Sequence, residues 1–203
     1  YGIARQSALR IASGGQVCQL ALALANGVVD EVSVDMGEPV LQAKRIPTLL
    51  PGDPPVLASM AVGGREFKVT CASMGNPHCV VFVDKASDQL VAEVGPQIET
   101  SPTFPQRTNV EFVEVRDRRR VFQRTWERGS GETMACGTGA CATCVAGVLA
   151  DRTDRAITVE LLGGELRCEW RADDNRVTMT GPAVEVFSGQ WPADSRRDEE
   201  QRG

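Results

Sequence analysis

Lysine is nearly missing from this 203-residue chain: Lys44, Lys68 and Lys85 are the full set, and none stands in a suggestive context. A pyridoxal-phosphate enzyme needs a Schiff-base lysine, so the scarcity argues against that cofactor. Nucleotide-binding and zinc-protease signatures are also missing, with no Walker loop and no HExxH. Gly129-Ser130-Gly131 lacks the third glycine of a dinucleotide fingerprint. No apolar run approaches the ~18 residues of a membrane-spanning helix, and no signal peptide pattern is visible. A net charge of −5 speaks against a nucleic-acid surface. The one dense basic run, Arg116 to Arg120 around Asp117, lies between strand-like segments and reads as a solvated turn. Seven cysteines, an odd number without a secreted-scaffold spacing, point to a reducing, cytoplasmic setting.

What is present is mostly strand. Alternating or continuous apolar segments fall at Ala8–Ala12, Gln16–Ala25 and Val28–Met36, with Gly14-Gly15 and Asn26-Gly27 between them as hairpin signals. Ile46 to Pro55 is proline-rich and reads as a loop or linker. Further strands are expected at Val56–Val62, Glu66–Ser73, His78–Val83, Asn109–Val115, Val121–Trp126, Ile157–Leu162, Glu165–Arg171, Val177–Thr180 and Val184–Phe187. Ser87 to Ile98 fits a helix capped by Ser87, with Leu90, Val91 and Val94 on one face. The chain starts at Tyr1 with what resembles a helix tail, as if cut from a longer protein. Ala193 to Gly203 is charged and poor in apolar anchors, the composition of a disordered tail.

Two segments echo each other. Gly14-Gly15-Gln16-Val17 matches Gly163-Gly164-Glu165-Leu166, and Val34-Asp35-Met36 with Pro39 matches Val177-Thr178-Met179 with Pro182 at an offset of 143. Two copies of one β-rich unit account for this.

The chemistry concentrates in Trp126 to Ala150. Cys136 sits in a glycine turn, Cys136-Gly137-Thr138-Gly139, that opens into a helix-like run from Ala140 to Ala150. Amides at a helix start are unpaired and favour anions. They are expected to lower the thiol pKa of Cys136 and to receive a substrate carboxylate. By the repeat, a matching cysteine turn belongs about a dozen residues before Tyr1.

Cys136, Cys141 and Cys144 also form a C-x4-C-x2-C spacing, with Cys168 as a candidate fourth ligand of an iron–sulfur cluster. Cys141 and Cys144 lie in an alanine-rich helical run, which favours small core residues instead. The only histidine, His78, follows Gly75-Asn76-Pro77 and is placed to adjust a nearby thiol. Glu127-Arg128 offers a carboxylate and a guanidinium fork, and Asn109 an amide at a strand start.

These pieces resemble the diaminopimelate epimerase family. The resemblance rests on Gly75-Asn76-Pro77-His78, on Arg107-Thr108-Asn109-Val110-Glu111-Phe112, on Glu127-Arg128-Gly129-x-Gly131-Glu132-Thr133, and on Ala135-Cys136-Gly137-Thr138-Gly139-Ala140. It implies an α+β fold of two similar β-barrel-like domains, each around a central helix, the first incomplete here. Residues 1–62 would be the last part of the first domain and 63–184 a complete second domain. Residues 185–192 would be a final strand returning to the first domain, and 193–203 the tail.

The implied activity is cofactor-free, metal-free inversion of LL-diaminopimelate to the meso form by two cysteines, in a cytoplasmic homodimer that binds neither nucleic acid nor membrane. Cys136 would be one catalytic cysteine. Asn76, Asn109, Glu127, Arg128, Gly137 and Thr138 would bind substrate, and His78 and Glu127 would tune the thiols. The family's first cysteine turn, Cys-Gly-Asn-Gly, does not occur in the chain, so the chain alone is expected to be inactive. A proline or hydroxyproline racemase, a PhzF-like isomerase, an iron–sulfur carrier and a non-catalytic binding remnant are the competing readings.

Overall fold

The computed structural model describes residues 7–13 and 16–190. The hairpin expected at Gly14-Gly15, the start at Tyr1 and the tail from Ala193 lie outside those residues.

Eleven strands hydrogen-bond in one path, β1-β2-β3-β12-β11-β10-β8-β7-β6-β5-β4, and a short β9 pairs with β8. In chain order these are β1 (Ala8–Ser13), β2 (Gln16–Ala25), β3 (Val28–Asp35), β4 (Ala58–Val62), β5 (Arg65–Ser73) and β6 (Pro77–Phe82). Helix α1 (Asp88–Glu99) precedes β7 (Asn109–Asp117), β8 (Arg120–Glu127) and β9 (Gly131–Thr133). Helix α2 (Gly137–Leu149) leads to β10 (Ala156–Leu161), β11 (Gly164–Trp170) and β12 (Val177–Pro182).

Local chemistry explains most boundaries. Asn26 and Gly27 both take positive φ, as the two central residues of a type I′ hairpin require. Ser87 caps α1 by accepting from the Leu90 N–H, and Leu90, Val91 and Val94 are buried. Helix α2 starts at Gly137, earlier than the apolar run suggests, because Gly137-Thr138-Gly139 forms its first turn. It is apolar all round, with Gly139 through Gly147 buried, the pattern of a helix enclosed by protein. The sheet curls about it, bringing β5, β6, β7, β10, β11 and β12 into contact.

The two pairs of parallel neighbours, β6–β7 and β8–β10, are joined through α1 and α2 respectively. Each helix builds its own core. Val81, Val110 and Phe112 pack with α1, while Val80 and Val113 pack with α2. Strands β6 and β7 are therefore buried on both faces, which accounts for their continuous apolar runs.

The repeat is visible in the sheet. Asp35 lies opposite Thr178, and Val34 lies opposite Met179, where β3 and β12 pair antiparallel. Asp35 and Thr178 are equivalent positions of the two copies, so this ladder runs about a local two-fold axis.

Three expectations need correction. In the stretch around the prolines, Ile46, Leu50, Ala58, Met60 and Val62 join the α1 core and β4 pairs with β5, while Leu41 packs against the α2 core. The proline-rich stretch is thus a structured loop, not a linker. The strand expected at Val184–Phe187, which overlaps the expected 185–192 element, is not formed, and residues 191–192 lie outside the described residues. Residues 183–190 carry neither helix nor strand, and Val184, Val186 and Phe187 are exposed, with no apolar packing to hold a ladder. The basic turn is not merely solvated: Arg118 pairs with Asp151 and Asp154, and Arg120 with Glu160 and Glu165, tying the β7–β8 turn to the segments after α2.

Gly147 tests how tightly α2 is enclosed. A Cβ there would lie 2.2 Å from Thr153 Oγ1 and 3.2 Å from both Cβ and Cγ2, so rotating the threonine does not relieve the clash. Gly147→Ala should cost about 1–3 kcal/mol in urea unfolding, the usual penalty of overpacking. Unchanged stability would show that the helix has room.

Candidate active site at the start of α2

Cys136 occupies the N-cap of α2 in an extended conformation (φ −135°, ψ 106°) and is 8% exposed. Its sulfur lies 3.6 Å from Thr138 Oγ1. Beneath the turn, three strands end in buried polar side chains at alternate positions. His78 on β6, Glu111 on β7, and Gln123 and Thr125 on β8 share the α2-facing side with Val80 and Val113. A Cβ on Gly139 would stand 2.7 Å from Glu111 Oε1 and 3.2 Å from both Cys136 Sγ and Gln123 Nε2. Glycine is required there because carboxylate and sulfur press on the same point.

Hydrogen bonds link this floor to the remaining candidates. His78 Nδ1 is 2.8 Å from Glu111 Oε1, and Nε2 is 2.9 Å from Asn76 Oδ1. Asn109 accepts from the Arg128 N–H at 2.9 Å and donates to the Pro77 carbonyl at 3.0 Å, so it ties the Asn76 turn to the Arg128 turn. Glu99, at the end of α1, accepts from the Gly129 N–H at 2.9 Å and from Trp126 Nε1 at 2.8 Å. That contact fixes the far side of the same turn. Glu127 accepts from Thr133 Oγ1 at 2.7 Å, and the Arg128 guanidinium reaches the Gln106 carbonyl at 3.1 Å.

The ionisation of Cys136 differs from the sequence expectation. Burial, followed by the Glu111 carboxylate and more weakly by Glu127, pushes the thiol up to about 11. The Thr138 hydroxyl and the Gly139 N–H favour the thiolate, the latter without a full capping hydrogen bond, and they do not prevail. Desolvation of a charge outweighs a helix terminus when the sulfur is this far from water. These causes favour the thiol form of Cys136 at neutral pH.

The structure therefore gathers Cys136, Gly137, Thr138, His78, Asn76, Asn109, Glu127 and Arg128 into one linked set. Sequence reasoning passed over Glu111, Gln123 and Glu99. Glu111 stood between two fully apolar neighbours, Val110 and Phe112, and a carboxylate in such a strand was the signal available. A groove of about 650 Å3 runs over β1–β3 along Leu9, Arg10, Gln19, Leu20, Ser33 and Asp35, and it shares no residue with the Cys136 set. The geometry of the set, not the size of a groove, marks the site.

The iron–sulfur spacing is not assembled. Among the described residues no three His, Cys, Asp or Glu side chains converge as a metal set. Cys141, Cys144 and Cys168 are buried core residues, and Cys144 donates to the Arg155 carbonyl at 3.3 Å. Burial keeps the Cys144 thiol well above its ordinary range.

The fold is shared with solved structures of low sequence identity. It superposes on a hydroxyproline epimerase from Agrobacterium vitis with a TM-score of 0.65 at 15% identity, covering 89% of this chain and 58% of that one. A probable proline racemase from Agrobacterium radiobacter gives 0.63 at 14% identity, covering 92% and 61%. In sequence, the family model for diaminopimelate epimerase matches residues 70–186. Diaminopimelate epimerase of Moorella thermoacetica is 48% identical over 193 residues, covering 95% of this chain and 69% of the relative. That of Synechocystis is 56% identical over 169 residues, covering 82% and 60%. The chain belongs to the diaminopimelate epimerase family, and it spans 60–69% of the length of these two relatives.

Alkylation reports the state of Cys136 directly, since iodoacetamide reacts with the thiolate. Peptide mapping against pH should give a Cys136 midpoint near 11, set by burial and Glu111. A midpoint below neutrality would restore the helix-terminus expectation.

Proposed function

We propose that the protein interconverts LL- and meso-diaminopimelate by exchanging the proton on the α-carbon, with Cys136 as the thiol on one face. The observation that carries this reading is the buried sulfur of Cys136 at the N-terminus of α2, close to Glu111, which contacts His78, with Asn109 beside His78 on the next strand and bound to the Arg128 N–H. A base on the opposite face takes the α-proton, and the Cys136 S–H supplies one from its own side. Cys136 is then a thiolate and the opposite base is protonated, so the reverse reaction needs no further reagent. No cofactor is part of this scheme.

An amino-acid α-proton is weakly acidic, so the charge developing at the carbon and its carboxylate must be stabilised. The N–H groups of Gly137 and Thr138, at the positive end of α2, are suited to receive that carboxylate. Glu127 and Arg128 would hold the distal ammonium and carboxylate of a long, doubly zwitterionic substrate, with Asn76 and Asn109 as further polar contacts. The opposite base is proposed to be a second cysteine. Of the described cysteines, Cys71, Cys79, Cys141, Cys144 and Cys168 are buried in the two cores, which leaves none of them suited to the role. A reducing cytosol suits seven free thiols.

A proline-type racemase is the competing assignment, since the fold is shared with such enzymes. The Arg128 fork argues against it, because a short cyclic amino acid has no distal carboxylate to bind.

Deuterium uptake at the α-carbon, followed by mass spectrometry in heavy water, tests the assignment on the protein as its gene encodes it. Exchange into diaminopimelate should fall by about 10²–10⁴-fold in Cys136→Ser, the range for losing one acid–base group. Unchanged exchange would overturn the role of Cys136, and exchange into proline alone would transfer the chain to the racemases. Arg128→Met should raise KM for diaminopimelate roughly tenfold to a hundredfold, the worth of one charged hydrogen bond or two. An unchanged KM would remove Arg128 from the substrate site.

A further inference from the structure

Below the Cys136 turn lies a chain of three side chains whose hydrogen-bond arithmetic is restrictive. Glu111 and His78 are both fully buried and in direct contact. His78 Nδ1 faces a carboxylate oxygen of Glu111, and Nε2 faces the carbonyl oxygen of Asn76. A carboxylate oxygen and an amide carbonyl oxygen both accept, so with Glu111 ionised both ring nitrogens donate. An imidazole with hydrogen on both nitrogens carries a positive charge, and in a buried place that charge needs a counter-charge in contact. Glu111 is that counter-charge. Its other oxygen, Oε2, has no hydrogen-bond partner among the described residues, which leaves the His78 contact as the bond that holds the carboxylate.

The consequence reaches the half-buried Asn76. Its amide has an acceptor end and a donor end, and His78 engages the acceptor. The NH2 group, with two N–H donors, is left for whatever binds beside it. Were His78 singly protonated on Nδ1, its bare Nε2 would instead take a hydrogen bond from Asn76, and the amide would turn its oxygen outward.

We propose that Glu111 is a positioning residue: it keeps His78 protonated on both nitrogens, and His78 thereby fixes Asn76 with its N–H donors directed at the anionic end of a ligand. Only the last clause rests on the function proposed above. Glu111 touches no reacting atom in this scheme; towards Asn76 it acts through His78, while its charge also bears on the Cys136 thiol. Its closeness to the Cys136 turn, seen in the space denied at Gly139, makes the same carboxylate the floor of both halves of the site.

His78 is the only histidine in the chain, so the ring nitrogens of a 15N-histidine-labelled sample report this residue without assignment. In the unaltered protein both should appear as protonated nitrogens at neutral pH. In Glu111→Gln, which preserves shape and removes charge, one should become bare. Glu111→Asp, which keeps the charge, should retain the doubly protonated signature and guards against a folding defect in the first variant.

A bare nitrogen in the unaltered protein, or two protonated nitrogens in a folded Glu111→Gln, would overturn the proposal. Kinetics separate it from the functional reading. Glu111→Gln should raise KM for diaminopimelate roughly tenfold, as expected for a misdirected hydrogen bond to charge, whatever its separate effect on kcat through the Cys136 thiol. Inactivity of the unaltered protein towards diaminopimelate would reject the function and leave the spectrum to decide the role of Glu111.

Discussion

A sulfur atom placed at a helix start yet kept from water is the constraint on which this structure depends. Helix termini favour anions through unpaired amides and the summed peptide dipole. Burial works against any anion, and at Cys136 a buried carboxylate lies close by as well. Burial and carboxylate together win, so the residue that looks from its motif like a ready nucleophile is held as an acid. In the proposed reaction an acid of this kind would return a proton to carbon, and the amides that fail to ionise it in the resting state would support the thiolate once it forms.

Holding the sulfur in that place shapes the sequence around it. Gly139 has no side chain because Glu111 and Cys136 occupy the space. Helix α2 is made almost wholly of small residues, glycine, alanine, cysteine, threonine and valine with one final leucine, because the sheet closes on it from several strands. The polar floor comes from one parity of β6, β7 and β8, so the alternation that builds the core also aims His78, Glu111 and Gln123 at the same helix start. A separate set of contacts, Asn109 to the Arg128 amide and Glu99 to the Gly129 amide, positions the turn that carries the charged pair. Core packing and site geometry are one arrangement, not two.

Much of this was legible in the residues. The capped helix at Ser87, the Asn26-Gly27 hairpin and the Cys136-Gly137-Thr138-Gly139 turn each announce their geometry through local chemistry. The repeat at offset 143 foretold a symmetric element, and the β3–β12 ladder is that element. Long-range packing was not legible. Nothing local marks Ile46 and Leu50 as core, because prolines around them signal a loop whether or not it is buried. The apolar alternation at Val184–Phe187 suggested a strand, but a strand needs a neighbour, and sequence pattern does not supply one. The pKa of Cys136 failed for a related reason: the motif shows the dipole, while the depth of burial and the opposing carboxylate exist only in the folded chain.

The most direct test of the account is the infrared S–H stretch of Cys136, read as the difference between the unaltered protein and Cys136→Ser. The account predicts an S–H band at neutral pH that disappears only as the pH approaches about 11. A difference spectrum with no S–H band at neutral pH would mean that Cys136 rests as a thiolate, and the acid role given to it here would be wrong.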